Sequence, residues 1–239
     1  KEWEALLAKT RRIADEAGHY RYAFPREHGG RDGTNLGMAI IREHLASKGL
    51  GLHCDLQNEH SIVANNIALL LMLNYGSEEQ KATWAEKLAA GDAMFAFGIT
   101  EPKHGSDATH METVAHKTSN GWIIQGEKTW NSGIHSAPAD LIFARTSGKA
   151  GDADGITAFL VPTDSAGFKL EELLWTFNMP TDHGRVSLEK VRVPETSILG
   201  TEGKGLQIVQ HFFNENRIRQ AASSLGAAQF CIWESIEYA

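Results

Sequence analysis

The spacing of apolar residues changes along this chain from a helical period to a strand period. Up to Gly91, apolar residues recur every three or four positions, which is typical of amphipathic helices. The first apolar stripe is formed by Trp3, Leu6, Leu7, Thr10, Ile13 and Ala14. After the glycine-rich segment at residues 29–33, Thr34 is the predicted N-cap of a second helix that runs toward Gly49.

Two more helices are predicted before residue 92. The apolar run at residues 61–75 is shorter than the roughly 20 residues that a membrane span requires, so it predicts a buried helix. Gly76 is placed to form a left-handed C-cap of that helix. Ser77 and Gln80 match a capping box that begins the fourth helix, and Gly91 lies just past its end. The pattern therefore predicts a helical domain over residues 1–92.

Beyond residue 92, β-branched and aromatic residues come in short runs separated by turn residues, which predicts strands. The predicted strands are residues 94–100, 112–118, 122–130, 141–146, 157–161, 168–174 and 186–193. Asn120-Gly121 predicts a two-residue hairpin turn, because both residue types tolerate positive φ. Strands at this spacing without intervening helices predict an antiparallel barrel or sandwich over residues 93–202.

A helical pattern returns over residues 203–239. Its apolar face contains Leu206, Val209, Phe212, Phe213, Leu225, Phe230, Trp233 and Ile236. The pattern reaches Ala239 without a C-cap or a helix breaker. We therefore expect this segment to be the beginning of a C-terminal helical bundle whose remainder is absent from the chain.

Composition excludes several classes of protein. The 239 residues carry a formal net charge of -7, which disfavours nucleic-acid binding because such binding depends on clustered Lys and Arg. No transmembrane segment is predicted. Cys54 and Cys231 are too few for a disulfide framework or a cysteine zinc site, so a reducing compartment is expected. No signal peptide is visible, but the chain begins at Lys1, so a targeting segment could have been removed and the compartment is not determined.

Two motifs carry a family resemblance. Residues 97–108, FGITEPKHGSDA, closely resemble the signature of acyl-CoA dehydrogenases, the flavoproteins that desaturate acyl-CoA thioesters. Residues 126–133, GEKTWNSG, resemble the second flavin-contacting segment of that family. Residues 191–205 and the later pair Asn216-Arg217 resemble its passage into the third domain. The resemblance covers nearly the whole chain and implies an α+β multidomain fold: an N-terminal helical domain, a middle β-domain and the start of a C-terminal bundle.

The resemblance also implies the site residues. Phe97, Ile99 and Thr100 would line the pyrimidine side of FAD, and Trp130 and Ser132 would lie near the flavin ring and its N5 atom. Ser106, Asn214 and Arg217 would contact the acyl-CoA. These residue types suit the ligand, because an isoalloxazine needs hydrogen-bond donors at its polar edge and a flat apolar surface beside its ring.

Simpler interpretations exist for several of these residues. Thr100 could be an ordinary strand-end hydroxyl and Trp130 a core aromatic, but the presence of both motifs favours the flavin interpretation. Ser106 and Asp107 could be turn residues that satisfy their own backbone.

Two charged clusters also have simpler interpretations. Arg217 could form a surface ion pair with Glu215 or a neighbouring carboxylate. His104, Asp107 and His110 have spacing that shares no common face in a loop, so no metal site is predicted.

The reaction that the resemblance implies needs a carboxylate base to remove an α-proton from the thioester. Some family members place that base immediately before the arginine, where this chain has Asn216, which cannot accept a proton. Glu215 would point about 100° away from the required helix face. The base is therefore predicted to lie outside this chain, and Glu101 is expected to anchor its loop.

The leading hypothesis is an FAD-dependent acyl-CoA dehydrogenase that passes electrons to an electron-transferring flavoprotein and assembles as a homodimer or homotetramer. The alternatives are an acyl-CoA oxidase that uses dioxygen and a catalytically silent scaffold or assembly factor with the same fold. The short stretch at residues 180–186, PTDHGRV, departs from the commoner family pattern and resembles the branch that acts on longer or branched acyl chains.

Overall fold

A computed structural model describes residues 2–49, 67–176 and 179–239 of the chain. These residues belong to two compact units. The first unit comprises Lys1–Ile67 and His211–Ala239, and the second comprises Ala68–Gln210. Cys54, residues 61–66 of the apolar run and Asn178 lie outside the described residues, as do the side chains of Trp3 and Leu7.

The first unit contains helices α1 (Glu2–Glu16) and α2 (Asn35–Ala46). The predicted N-cap is confirmed, since the Thr34 side chain accepts a hydrogen bond from the Gly37 backbone N–H. The predicted stripe on α1 is only partly buried: Ala14 is buried, whereas Leu6 and Ile13 are more than half exposed. Helical periodicity identifies which residues share a face, but not whether that face is covered.

Helix α5 (Gly205–Tyr238) begins in the second unit and continues into the first. Val209 near its start is fully buried, whereas Leu225, Trp233 and Ile236 are 48–68% exposed. The predicted apolar face is therefore buried at the beginning of the helix and exposed along its later turns.

In the second unit, α3 (Ile67–Tyr75) is followed by α4 (Glu78–Ala90). Both hydrogen bonds of the predicted capping box between Ser77 and Gln80 are present, and Gly91 adopts the predicted left-handed conformation. Gly76 does not adopt it, so that prediction is wrong. Gly76 instead has no room for a side chain, because a Cβ there would lie 2.5 Å from the Met72 carbonyl oxygen.

The β-sheet of the second unit follows the predicted strands closely. Its strands are β1 (Phe95–Gly98), β2 (Val114–Thr118), β3 (Gly121–Ser132), β4 (Ala139–Arg145), β5 (Ile156–Pro162), β6 (Phe168–Thr176), β7 (Met179–Val193) and β8 (Ile198–Leu199). Along the sheet the order is β6-β7-β3-β2-β4-β5-β8, and β1 pairs with β4. The sheet core includes Trp122, Ile124, Phe159, Leu188 and Val191, all buried.

The sheet differs from the prediction in several respects. Strand β7 begins at Met179, seven residues before the predicted strand, and β8 was not predicted. The β2–β3 hairpin exists, but Thr118 pairs with Gly121, so its turn residues are 119 and 120 and neither has positive φ. The pairs β1–β4 and β2–β4 are parallel, whereas the remaining pairs are antiparallel. Apolar alternation predicts strands but contains no information on their relative direction.

No helix within the described ranges combines the length and apolar character that crossing a bilayer requires.

Candidate flavin site

The structure brings the two motif segments together. The Thr129 backbone N–H on β3 donates a hydrogen bond to the Thr100 carbonyl oxygen, just past the end of β1, at 2.9 Å. Thr100 and Ser132 are half-buried. Phe97 is also half-buried and packs against Phe143, with ring centroids 5.0 Å apart. The end of β1 and the far end of β3 are therefore adjacent in the sheet unit.

Trp130 lies in a β-bulge that turns it out of the sheet. The β3–β7 register shifts between Lys128 and Asn131, and Trp130 has φ +65°. A non-glycine residue in this region costs about 1–3 kcal/mol, so the surrounding structure must hold it in place. The indole is 46% exposed, so Trp130 is not a core aromatic.

On one side of the bulge, a buried ion pair fixes β3 to the end of β1. The Lys128 ammonium is fully buried, lies 2.9 Å from Glu101 Oε1 and donates to the Ile99 carbonyl oxygen at 3.2 Å. Ile99 itself is 5% exposed, so its side chain belongs to the core. Glu101 also accepts from the backbone N–H groups of Glu112 (2.6 Å) and Thr113 (2.9 Å), which confirms that it anchors its loop.

Each charge of this ion pair offsets part of the free-energy cost of burying the other. Burial alone would raise the pKa of Glu101, but the Lys128 charge and the hydrogen bonds outweigh that effect and hold the pKa below its ordinary value. Burial lowers the pKa of Lys128, and Glu101 opposes that shift. The pair is therefore a structural clamp.

On the other side of the bulge, Asn131 and Asp140 form a second buried pair between β3 and β4. Both side chains are 0% exposed, and the Asn131 amide donates to Asp140 Oδ2. Asn131 Oδ1 and Asp140 Oδ1 are buried without a hydrogen-bond partner. Burial raises the pKa of Asp140 to about 7, and the bond from Asn131 and the charge of Lys128 offset this only in part. Gly98 is required here, since a Cβ would lie 2.9 Å from the Asn131 amide nitrogen.

His183 lies beside Ser132 and Trp130, although the sequence assigned it no role. It pairs with Ser132 across the β3–β7 ladder, and its Nδ1 lies 2.8 Å from Ser132 Oγ. The His183 ring meets the Trp130 indole edge to face at 6.2 Å. Only the strand register could have revealed this contact, because the two residues are 51 positions apart.

The loop after β1 presents Ser106 to solvent. Ser106 is exposed, and a Cβ on the neighbouring Gly105 would meet nothing within 4 Å. Asp107 is a turn residue, as the simpler interpretation held: its side chain accepts from the Thr109 backbone N–H and lies 2.7 Å from His110. Among the described residues, no group of His, Cys, Asp and Glu is arranged to hold a metal ion.

Asn214 and Arg217 lie on α5 in the first unit, both exposed. The Arg217 guanidinium donates to Asn214 Oδ1 at 3.4 Å and lies 5.3 Å from the centre of the Phe213 ring. Glu215 does not pair with Arg217. It pairs instead with Arg219 at 3.0 Å. Within the described residues the ion pair of Arg217 with Glu215 is not formed, and the Arg217 charge lies beside an amide and an aromatic ring.

Comparison with known proteins identifies the family. The model of the acyl-CoA dehydrogenase N-terminal domain matches residues 2–92, and that of the acyl-CoA dehydrogenase middle domain matches residues 96–191. A glutaryl-CoA dehydrogenase of Desulfococcus multivorans is 34% identical over 226 residues, which is 93% of this chain and 57% of that protein. The human mitochondrial short-chain specific acyl-CoA dehydrogenase is 34% identical over 90% of this chain and 51% of its own length.

Solved structures agree on the fold. A glutaryl-CoA dehydrogenase in complex with glutaryl-CoA matches the chain with a TM-score of 0.76 and 28% identity, covering 100% of this chain and 66% of that one. The predicted fold class is confirmed. This chain spans a little more than half the length of the curated relatives described above. The chain belongs to the acyl-CoA dehydrogenase family, of which it carries the N-terminal and middle domains together with the start of a C-terminal helix.

Proposed function

We propose that the chain holds FAD and that the protein to which it belongs catalyses α,β-dehydrogenation of an acyl-CoA thioester. The observation that carries the proposal is the hydrogen bond between Thr129 and Thr100. This bond joins the two motif segments, which supports the proposal that the hydroxyls of Thr100 and Ser132 and the exposed Trp130 indole serve one ligand. Of the domain division proposed from the sequence, residues 1–92 and 93–202 agree with the two family matches, residues 2–92 and 96–191, and residues 203–239 stay a proposal. The compact units of the structure divide the chain differently, after Ile67 and after Gln210.

The residues present fit an isoalloxazine. Thr100 and Ser132 offer hydroxyls that can donate to its polar edge, and Trp130 offers a flat apolar face in a bulge clamped on both sides. Phe97 lies on β1, near the same end of that strand. The Ile99 side chain is buried, and its carbonyl oxygen accepts a hydrogen bond from the Lys128 ammonium. The buried pairs Glu101–Lys128 and Asn131–Asp140 hold the strand on either side of Trp130, as a cofactor site requires of the residues behind its contacts.

FAD supplies the acceptor for the β-hydride of the thioester at its N5 atom. The residues of this chain bind and orient. Ser106, which is exposed in its loop, is proposed to contact the acyl-CoA. Arg217 and Asn214 are proposed as CoA contacts because a guanidinium and an amide suit its anionic and amide groups.

The base that removes the α-proton is proposed to lie outside this chain. Asn216 cannot accept a proton, and Glu215 is engaged by Arg219 and, at 3.5 Å, by His211. Glu101 is buried against Lys128 with a lowered pKa, so it is unsuited to proton abstraction near neutral pH.

The function is tested on the full-length protein purified with FAD. Anaerobic addition of acyl-CoA thioesters of different chain length and branching should bleach the flavin absorbance with at least one of them, and longer or branched chains are expected to be preferred. A flavin-bearing protein that no thioester bleaches would support the catalytically silent scaffold instead.

The electron acceptor is proposed to be an electron-transferring flavoprotein, and the assembly a homodimer or homotetramer. Stopped-flow mixing of the reduced protein with dioxygen separates this proposal from an acyl-CoA oxidase. Slow reoxidation is expected, and rapid reoxidation would favour the oxidase.

Replacing Trp130 with alanine should weaken FAD binding by about tenfold, because an aromatic contact contributes about 0.5–1.5 kcal/mol beyond its buried area. Trp130→Phe should retain most of the affinity. Fluorescence titration of the apoprotein with FAD measures both. Trp175→Ala is the control, since that indole is also exposed (68%) and lies on β6 of the same sheet. Equal affinities for Trp130→Ala and Trp175→Ala would contradict the assignment.

Replacing Arg217 with alanine should raise the KM for acyl-CoA by about tenfold and leave kcat nearly unchanged. A hydrogen bond from a charged group contributes about 1.5–3 kcal/mol, and the lower end of that range is expected because Arg217 is exposed. Arg217→Lys should recover part of the loss. Steady-state kinetics measures the split, with the exposed Arg12→Ala on α1 as control. An unchanged KM would show that Arg217 serves only its contacts with Asn214 and Phe213.

A further inference from the structure

The contact between Ser132 and His183 is dictated by the sheet. The two residues face each other in the β3–β7 ladder, and Ser132 Oγ lies 2.8 Å from His183 Nδ1. Both side chains are partly buried, at the margin of the sheet beside Trp130. The hydroxyl that the flavin motif supplies is therefore already bonded to an imidazole.

The backbone on both sides of this contact is held in place. The Thr181 hydroxyl accepts a hydrogen bond from the His183 backbone N–H at 3.2 Å. The Gly133 backbone N–H donates to the Asp182 carbonyl oxygen at 2.9 Å. A Cβ on Gly184 would lie 2.4 Å from the Ile134 side chain, so a glycine must follow His183. The imidazole is thus positioned rather than freely mobile.

The position of one proton decides what the Ser132 hydroxyl can do. A serine hydroxyl has a single proton and two lone pairs. If His183 Nδ1 carries no proton, Ser132 must donate to it and can then only accept from a ligand. If Nδ1 carries a proton, Ser132 accepts from the imidazole and is free to donate outward. A proton on Nδ1 would face two oxygens that can accept from it, Ser132 Oγ at 2.8 Å and Asp182 Oδ1 at 3.3 Å, of which Ser132 Oγ is the nearer.

We propose that His183 is a positioning residue of the flavin site, which donates from Nδ1 to Ser132 and thereby directs the Ser132 hydroxyl proton toward the cofactor. This inference rests on the proposed function, because it takes Ser132 to be a flavin contact. It assigns a role to the residue at which this chain's PTDHGRV segment meets the second motif.

The test is a double-mutant cycle on the full-length apoprotein, with FAD affinity measured by fluorescence titration. His183→Ala should weaken FAD binding by about tenfold, the loss expected for one hydrogen bond that orients a donor. His183→Asn, whose amide can reach Ser132, should restore most of the affinity. In a Ser132→Ala background, His183→Ala should cause no further loss.

A matched control is His116→Ala, an exposed histidine on β2, which should bind FAD as tightly as the wild type. A His183→Ala variant that binds FAD normally, or one whose loss is the same with and without the Ser132 hydroxyl, would overturn the role of His183 alone. A wild-type protein that binds no FAD would overturn the proposed function as well.

A second readout does not depend on the cofactor. Nitrogen NMR of the imidazole in the apoprotein should show a proton on Nδ1 of His183, and Ser132→Ala should shift the Nδ1 resonance. A bare Nδ1 with the proton on Nε2 alone would contradict the proposed direction of the hydrogen bond even if FAD affinity fell.

Discussion

Replacing Glu101 with alanine should lower the free energy of unfolding of the β-sheet unit by about 3–5 kcal/mol, because it leaves the fully buried Lys128 ammonium without its counter-charge. The same change removes the acceptor for the backbone N–H groups of Glu112 and Thr113. Urea denaturation followed by tryptophan fluorescence measures the loss. FAD affinity should fall with it, since the end of β1 is no longer fixed to β3.

Two variants make this result specific. Glu112→Ala removes a 60% exposed carboxylate from the same loop and should change stability by only about 0.5 kcal/mol. Lys128→Met in the Glu101→Ala background should recover part of the stability, because it removes the uncompensated charge while keeping an apolar stem of similar length. If Glu101→Ala lowers the free energy of unfolding no more than Glu112→Ala does, the buried ion pair of Glu101 and Lys128 does not hold β3 to the end of β1.

Replacing Asp140 with asparagine should change how stability depends on pH. The pKa of Asp140 is about 7 in the folded protein, above its ordinary value of 3.8, so the folded state holds a proton that the unfolded state has lost. Wild-type stability therefore contains a contribution that is lost as pH rises through about 7. Between about pH 5 and pH 8 that loss amounts to about 3 kcal/mol, and the variant should not show it.

The asparagine is also a suitable replacement at this position. Its carbonyl oxygen can accept from the Asn131 amide as Asp140 Oδ2 does. The stability of Asp140→Asn relative to wild type should therefore improve steadily as pH rises, measured by urea denaturation at a series of pH values. Asp164→Asn, at an exposed position, should run parallel to wild type. Parallel curves for Asp140→Asn would show that Asp140 is ionised throughout.

The features of the fold that local chemistry determines were predictable. Ser77, Gln80 and Gly91 mark the ends of α4 because a capping box and a left-handed cap involve residues within a few positions of one another. The parallel pairing of β1 with β4 was not predictable in this way, since it depends on residues more than 40 positions apart. The exposure of Leu225, Trp233 and Ile236 on α5 likewise depends on what covers a helix face rather than on its pattern.

The residues of the candidate site can be separated in the same way, into those that the sequence motifs indicate and those that only the packing of strands shows. The family motifs pointed to Thr100, Trp130 and Ser132, and the structure adds the bulge that exposes the indole. Asp140 interrupts the apolar run of β4, which was a signal of a buried polar role, but its partner Asn131 could be found only from the packing of two strands. His183 required the β3–β7 register.

A structure of the protein with FAD bound would test most directly whether the end of β1 and the bulge of β3 together form the flavin platform. We expect the isoalloxazine to lie against the Trp130 indole, with the hydroxyls of Thr100 and Ser132 within hydrogen-bonding distance of its polar atoms. An isoalloxazine bound elsewhere on the chain, with Trp130 still facing solvent, would contradict it.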